Sequence, residues 1–462
     1  MRYIDSASIE ELEAFLLSHP ATEMMEVLVV DINGILRGKR IPASEFRTFF
    51  TKGLKSAASS LLMDTSGDVT DAIGVGVKDG DPDKVIYPIK GTLATVSWLS
   101  SNIAQVFASY RELDGSSCDL DPRNVLRNAL QPLTDMGLRA VVATELEFYL
   151  LEPGDSEIPR PKLPIVPGTS IRQPGIQYSM MSDLWEHDEF LTSVRNTCEE
   201  QNIPATTVHS EFAGGQFEIN LHHNSDVVVA CDQSMLLKRA IKGCAHEHDL
   251  GVTFMAKPFA ASSGSGLHIH ISLYDQQGNN IFADSNSSEI PPITDKLRHA
   301  IGGLSELMAP SMAIYCPNAN SYRRLQPESF VPLQPNWGYN HRGVSLRIPV
   351  SGLKDTRVEH RVAGADANPY LVMATILAGI HYGLTLQCDP GPMIDEGEEV
   401  EEQITLPIRW EAALEKFRED TVLPQYIGEH YSWLYWQIKK QEAENYHKQI
   451  SPLDYRWYLR AV

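Results

Sequence analysis

The chain carries too little positive charge for a nucleic-acid-binding protein. Its 462 residues include 39 lysines and arginines against 60 aspartates and glutamates, which gives a formal net charge of -21 at pH 7. A protein that binds DNA or RNA must offer a basic surface to the phosphate backbone. We therefore expect no nucleic-acid partner, and we interpret the acidic excess as a solvated surface that tolerates cationic small molecules.

Cysteine is scarce, and the 6 cysteines are scattered along the chain without close pairs. Structural zinc sites and small disulfide frameworks need closely spaced cysteines, so the sequence favours neither of them. This usage is typical of a reducing compartment.

Long uninterrupted apolar runs are missing as well. The best candidate extends from Leu371 to Leu386, but it is short for a membrane span and is interrupted by His381. This favours a buried helix over a membrane helix. The first residues lack the apolar core of a signal peptide. The sequence thus predicts a soluble, cytoplasmic protein with no membrane partner.

The length of the chain indicates two domains rather than one. Residues 1–112 read as short strands and turns, and residues 113–462 as strands that alternate with helices. Asp121–Pro122 and Asn368–Pro369 each pair a helix-capping side chain with a proline suited to the first helical position. The predicted fold class is α+β, with a small β-rich N-terminal domain and a larger second domain.

One strand has a polar face made of ligand-type side chains. The alternation from Leu267 to Leu273 places His268, His270 and Ser272 on one face and apolar residues on the other. By itself, such a strand is most simply a half-exposed strand.

Three other stretches repeat this alternation with carboxylates. The glutamates concerned are Glu145, Glu147, Glu211, Glu218 and Glu359. Acids are poor strand formers, and like charges on one face repel each other, so the pattern destabilises a sheet unless it is solvated or has a use. Gathered on one concave sheet, these side chains would form a site for hard divalent cations beside an anionic substrate. Periodicity does not establish whether the four strands adjoin.

Six motifs resemble, in order and spacing, those of the glutamine synthetase superfamily: Glu145–Phe148, Glu211 with Gln216–Glu218, Gly264–Leu273, Asn320–Leu325, Arg347–Pro349 and Arg357–Arg361. The resemblance covers nearly the whole chain. It implies a small N-terminal β-grasp domain and a catalytic domain whose curved antiparallel sheet is flanked by helices. It also implies a homododecamer of two stacked hexameric rings, with each active site at a subunit boundary.

The resemblance further implies two divalent ions, Mg²⁺ or Mn²⁺, each held by three side chains: Glu147, Glu211 and Glu218 for one ion, and Glu145, His268 and Glu359 for the other. An oxygen-rich site with one imidazole suits Mg²⁺ or Mn²⁺ better than Zn²⁺.

The implied reaction is the ATP-dependent joining of the γ-carboxylate of L-glutamate to an amine through γ-glutamyl phosphate. Metals and arginines would neutralise the charge of the transferring phosphoryl group. By resemblance, Gly264, Arg324 and Arg361 bind glutamate, and Arg342 stabilises the phosphoryl group. The side chains expected to face ATP are His270, Ser272, Arg342, Arg347 and Lys354.

One departure from the family concerns the flap over the amine. Enzymes that use ammonium carry a glutamate there, whereas alignment puts Phe330 at that position. Phenylalanine cannot attract ammonium or take up its proton, but it suits an alkyl chain. The departure resembles the γ-glutamylputrescine and γ-glutamylpolyamine synthetases of polyamine catabolism. Asp31 aligns with the family's ammonium-side aspartate and is the candidate base for a neighbouring subunit's site; a turn-forming aspartate before Asn33–Gly34 is an equal alternative.

The sequence therefore predicts a glutamate–amine ligase, with putrescine or another polyamine as the amine. Glutamine synthetase using ammonium is the nearest alternative. A catalytically silent nucleotide-sensing scaffold is disfavoured because all six metal ligands are present. A two-metal hydrolase would not need Arg324, Arg342 and Arg361 together.

Overall fold

The structure is a computed structural model that describes residues 5–76, 78–100, 102–173, 175, 177–288, 290–327, 331–400 and 403–462. Its strands are β1 Met24–Val30, β2 Leu36–Pro42, β3 Leu54–Ala57, β4 Asp83–Pro88, β5 Ala94–Thr95, β6 Ile103–Arg111, β7 Arg139–Leu151, β8 Ala205–Ser210, β9 Gln216–Leu221, β10 Gly251–Thr253, β11 Leu267–Tyr274, β12 Trp337–Tyr339, β13 Leu346–Ile348 and β14 Val358–His360. Its helices are α1 Ile9–Ser18, α2 Ala43–Lys52, α3 Pro122–Asp135, α4 Met181–Glu186, α5 Asp188–Glu200, α6 Val227–Glu247, α7 Asp295–Glu306, α8 Met308–Tyr315, α9 Pro369–Leu386, α10 Trp410–Glu419, α11 Leu423–Ile427, α12 Glu429–His447 and α13 Pro452–Tyr458.

Two helix starts follow from the capping pattern in the sequence. The Asp121 carboxylate accepts a hydrogen bond from the backbone N–H of Arg123 at 2.9 Å, at the start of α3. The Asn368 side chain accepts one from the N–H of Tyr370 at 3.0 Å, at the start of α9. Each contact satisfies an N–H that has no partner within its own helix. Both predicted starts are confirmed.

The first sheet is built from residues 24–111 and has the strand order β2-β1-β6-β4-β3, with β5 paired to β6. β1 and β6 run parallel, and the other pairs are antiparallel. The predicted α+β class is confirmed. The division at residue 112 stays a prediction. It falls between β6, which is the last strand of this sheet in the sequence, and α3, which precedes the strands of the second sheet.

The second sheet has the order β12-β13-β14-β11-β7-β9-β8, with β10 paired to β7. The four strands with polar ligand faces, β14, β11, β7 and β9, are therefore consecutive neighbours. Their register sets Glu145 opposite His268, and Glu147 opposite Glu218. The pairs are antiparallel except for β12 with β13, so the predicted antiparallel sheet is mixed at one edge.

Helix α9 lies in the core of the protein. It is the one helix of the described residues that is long and apolar enough to cross a membrane, yet 72% of that segment is buried inside the protein. Helices α3 and α7 pack against it. The predicted buried helix is confirmed.

Candidate active site

The polar faces of the second sheet line a cavity of about 580 Å³. Ten of the residues predicted to form the site line this cavity: Glu145, Glu147, Glu211, Glu218, Gly264, His268, Arg324, Arg342, Arg347 and Arg361. They come from six separate stretches of the chain, so the fold has brought together motifs that the sequence shows only as separate patterns.

The alternation along β7 places its glutamates in the cavity. Leu146 and Phe148 are 1% and 0% exposed in the core, and Glu145 and Glu147 therefore point to the opposite face. The apolar face fixes the register of the strand, because a slip by one residue would turn the carboxylates into the apolar core. The core thus fixes where the charged groups lie.

Three groups of acidic and histidine side chains are close enough to hold a cation. The first joins Glu145, His268 and Glu359, the set predicted for one of the two ions. His268 Nδ1 lies 3.3 Å from Glu145 Oε2 and 3.9 Å from Glu359 Oε1. These are three oxygen or nitrogen donors around one point, a donor set that suits Mg²⁺ or Mn²⁺.

The second predicted set is divided between two groups that share Glu218. Glu147 and Glu218 group with His268, whereas Glu211 and Glu218 group with His209. His209 Nε2 lies 2.8 Å from Glu211 Oε1. His209 is not among the predicted site residues, although the alternation through β8 into Glu211 places both side chains on one face.

Burial and repulsion between carboxylates together raise the pKa of two glutamates in this cavity. Burial, followed by the charges of Glu145, Glu147 and Glu211, raises the pKa of Glu218 to about 10. Burial likewise raises the pKa of Glu147. Divalent cations would relieve this repulsion, so the residues present fit the ions that the sequence implies.

Glu359 behaves differently because arginines surround it. Burial would raise the pKa of Glu359, but the charge of Arg361 and then those of nearby histidines lower it to about 2. Arg361 forms an ion pair with one Glu359 oxygen, and Arg347 Nη1 lies 2.8 Å from the other. Glu359 is therefore ionised at neutral pH and orients two of the predicted substrate-binding arginines.

Gly264 and Arg324 lie together at another part of the cavity wall. Arg324 is 4% exposed, and its Nη1 donates to the carbonyls of Val362 at 2.8 Å and Ala363 at 3.2 Å. A Cβ on Gly264 would lie 2.6 Å from Arg324 Cγ and 2.6 Å from the Ala256 carbonyl oxygen. Any larger residue at position 264 would therefore clash with the aliphatic part of the Arg324 side chain and with the backbone.

A second cavity of about 370 Å³ shares Glu145 with the first and contains His270 and Ser272. Arg357 Nε donates to His270 Nδ1 at 3.1 Å, so His270 must carry its proton on Nε2, 2.8 Å from Glu145 Oε1. This second cavity therefore adjoins the glutamates of the first cavity through Glu145. A nucleotide bound in the second cavity would have its phosphates within reach of metal ions bound in the first. Lys354 is exposed and lines neither cavity.

Asp31 does not line the main cavity of its own chain. Its side chain is buried, accepts from the N–H groups of Asn33 at 2.9 Å and Ile35 at 2.8 Å, and pairs with Arg37 Nε at 2.9 Å. Burial raises the pKa of Asp31. Within one chain this is the geometry of a turn-forming aspartate. Phe330 lies outside the described residues.

Residues 119–458 match the family described as glutamine synthetase, catalytic domain. The chain belongs to the glutamine synthetase family. It is 38% identical over 455 residues to gamma-glutamylputrescine synthetase PuuA of Escherichia coli K12, covering 98% of this chain and 95% of that protein. It is 32% identical over 433 residues to glutamate–isopropylamine ligase of a Pseudomonas species, covering 90% of this chain and 91% of that protein.

Among solved structures, a ligand-free structure of GmaS aligns with 97% of this chain and 99% of its own, with a TM-score of 0.81 and 25% identity. The predicted family and fold are confirmed. This member of the glutamine synthetase family is an ATP-dependent glutamate–amine ligase, and enzymes of this type use divalent metal ions.

Proposed function

We propose that the enzyme joins the γ-carboxylate of L-glutamate to putrescine or another polyamine through γ-glutamyl phosphate. The observation that carries this proposal is one cavity in which cation-binding groups of glutamates and histidines lie beside buried arginines. The arginines suit a dicarboxylate and the acidic groups suit metal-bound phosphates.

In this proposal two divalent ions, Mg²⁺ or Mn²⁺, are held by the two predicted sets: Glu145, His268 and Glu359, and Glu147, Glu211 and Glu218. When bound, the ions neutralise charge on the phosphates of ATP. The ion pairs of Glu359 with Arg347 and Arg361 keep that carboxylate ionised and fixed for its metal.

The remaining side chains divide between glutamate and ATP. Arg324 and Arg361 bind the glutamate carboxylates, and Gly264 lets the backbone approach the substrate. Exposed Arg342 stabilises the transferring phosphoryl group. The predicted ATP residues His270 and Ser272 lie in the adjoining cavity. Arg347 and Lys354 complete the predicted ATP set.

An organic amine is supported by the names of two relatives and by apolar side chains in the main cavity. The relatives are a gamma-glutamylputrescine synthetase and a glutamate–isopropylamine ligase. Tyr178, Phe212 and Val331 line the cavity that contains Glu211, so an alkyl chain would find apolar contacts beside carboxylates that attract an ammonium group. By alignment, we assign Phe330 to the flap of the amine site.

We further propose that Asp31 deprotonates the amine in the site of a neighbouring subunit, within a homododecamer of two stacked hexameric rings. Its absence from the lining of the main cavity of its own chain is compatible with such a role. The division into an N-terminal β-grasp domain (residues 1–112) and a catalytic domain (residues 113–462) belongs to this proposal, as does the cytoplasmic location.

A panel of amines tests the proposal. Phosphate release would be measured with ATP, L-glutamate and Mg²⁺, using ammonium, methylamine, ethanolamine, putrescine or spermidine. We expect release to require glutamate and to be fastest with a diamine or polyamine. Faster turnover with ammonium would favour a glutamine synthetase. Release without glutamate or amine would indicate a hydrolase, and the absence of release a scaffold.

A further inference from the structure

Lys238 is a buried cation held by backbone carbonyls. It lies on α6, is 8% exposed, and its Nζ donates to the carbonyls of Ala365 at 2.6 Å and Ala367 at 3.4 Å. In the described part of the chain, no carboxylate lies within ion-pair distance of it. Burial, with a smaller contribution from Lys242, lowers the pKa of Lys238 to about 8, and the charge of Asp366 partly opposes this shift. A buried ammonium without an ion-pair partner destabilises a fold. Packing alone therefore does not explain a lysine at this position.

Lys238 and Arg324 donate hydrogen bonds to the same backbone segment. This segment, residues 362–368, directly follows Arg361, and we call it the 362–368 turn. The carbonyls of Val362 and Ala363, in this turn, accept the two hydrogen bonds from Arg324 Nη1. The orientation of a long side chain that is fixed by two carbonyls depends on where those carbonyls lie. A shift of the turn would therefore move the Arg324 guanidinium.

The same turn aligns the glycine-rich loop of the cavity. Leu267 N–H donates to the Ala363 carbonyl at 2.9 Å, and Ala365 N–H donates to the Ser265 carbonyl at 3.0 Å. These bonds lie beside Gly264, which contributes to the cavity wall. The 362–368 turn is thus a shared support for both predicted glutamate-binding elements.

We propose that Lys238 is a positioning residue for glutamate. By holding the carbonyls of Ala365 and Ala367, it fixes the 362–368 turn and, through it, Arg324 and Gly264. This inference rests on the proposed function, in which Arg324 and Gly264 contact glutamate. A catalytic arrangement must be held within about 0.5 Å of its productive geometry, so loss of this support should weaken substrate binding without removing any contact to the substrate.

The test is Lys238→Met, which keeps an unbranched side chain of similar length but removes the donors and the charge. We expect the KM for glutamate to rise about tenfold, with much smaller changes in kcat and in the KM for ATP. His270 and Ser272, which we assign to ATP, line the other cavity, and no residue of the 362–368 turn is among the described residues that line it. Calorimetric titration of the variant with glutamate should show the same loss of affinity.

Lys242→Met is the matched control. Lys242 is exposed on the same helix one turn further on, and its Nζ lies 5.5 Å from the centre of the Phe254 ring. We expect this control to keep the wild-type KM for glutamate. If Lys238→Met does not fold, Lys238→Gln retains N–H donors on a shorter side chain and should show a smaller rise in the same constant.

The outcomes separate this inference from the proposed function when Arg324→Lys is measured alongside. A raised KM for glutamate in Arg324→Lys, with an unchanged KM in Lys238→Met or Lys238→Gln, overturns the role of Lys238 alone. A Lys238 variant with a lowered melting temperature and unchanged glutamate affinity also overturns the role of Lys238. So do equal rises in the KM for glutamate and the KM for ATP. An unchanged KM for glutamate in Arg324→Lys overturns both proposals.

Discussion

Glu218, one of the proposed metal ligands, lies in an unfavourable electrostatic environment in the metal-free protein. Its strand neighbour across the sheet is Glu147, and a pair of like charges directly opposite each other destabilises a sheet. The charge of Arg361 lowers the pKa of Glu218, but burial and three carboxylates outweigh it. The residue is therefore poorly suited to the metal-free fold and well suited to a divalent cation.

The metal-binding assignment predicts that Glu147→Gln and Glu359→Gln lose at least about a hundredfold in ligase activity while the protein still assembles. The amide keeps the shape of the side chain but not the charge that a hard cation requires. The gain in melting temperature on adding Mg²⁺ should also shrink in each variant. Near-normal turnover of Glu147→Gln at millimolar Mg²⁺ would contradict the assignment.

The two arginine assignments predict different kinetic changes. Arg361→Lys should mainly raise the KM for glutamate, because lysine keeps the charge but not the bidentate geometry. Arg342→Lys should mainly lower kcat, because its interaction strengthens as charge develops on the phosphoryl group. Steady-state kinetics with glutamate as the varied substrate separates them. If both variants change glutamate affinity alone, the division of roles is wrong.

The flap assignment makes a prediction about amine selectivity. Burial of a methylene is worth about 0.8 kcal/mol, so a four-carbon chain could gain up to about 3 kcal/mol, or on the order of a hundredfold, from an apolar wall. The wild type should prefer a diamine to ammonium by about that factor in kcat/KM. Phe330→Glu should narrow the gap. A wild-type enzyme that uses ammonium better than every organic amine would refute this assignment.

At the scale of elements, the start of α9 ties the two sheets together. Asn368 caps this helix, and its Nδ2 also donates to the carbonyls of Asp31 at 3.0 Å and Ile32 at 3.3 Å, at the end of β1. One amide therefore serves both a helix N-terminus and the backbone of the first sheet. The segment after β1 that Asn368 contacts includes the proposed catalytic Asp31. The start of α9 therefore helps to position Asp31.

Asn368→Ala should lower the free energy of unfolding by about 2–4 kcal/mol. The loss of a helix cap accounts for about 1 kcal/mol, and two carbonyls left without this donor account for the rest. Urea denaturation followed by circular dichroism measures the change. An effect below about 0.5 kcal/mol would show that water replaces the amide and that the contact does not hold the two sheets together.

Helix ends and strand faces could be predicted from the sequence because they depend on neighbouring residues. The capping pairs fixed α3 and α9, and period-two alternation assigned Glu145 and Glu147 to one face. The adjacency of β14, β11, β7 and β9 could not be predicted from periodicity, because it depends on pairing between distant segments. Lys238 was overlooked because a lysine on a helix is usually solvated, and its burial depends on a turn more than a hundred residues away.

At the scale of the whole molecule, the acidic cavity predicts how stability depends on pH. The pKa of Glu218 is raised from 4.5 to about 10 in the folded metal-free protein, so its stabilising contribution is complete below pH 4.5 and is lost as the pH rises towards 10. The melting temperature of the protein in EDTA should therefore fall by a few degrees between pH 6 and pH 9.

Glu218→Gln should flatten that dependence, and saturating Mg²⁺ should flatten it in the wild type. Differential scanning fluorimetry at constant ionic strength would measure all three conditions. An identical slope in the wild type and in Glu218→Gln would show that other groups control the pH dependence.

The order of the strands in the second sheet also constrains synthesis of the protein. Glu145 and Glu359 approach the same histidine, but the ribosome makes them 359 − 145 = 214 residues apart. At about 5–20 residues per second, roughly 10–40 s separate the first ligand of this group from the last. Until then the nascent chain exposes carboxylates without the geometry to discriminate between metals. At the proposed metal site, selection of the correct cation would thus be deferred until β14 has emerged and paired with β11.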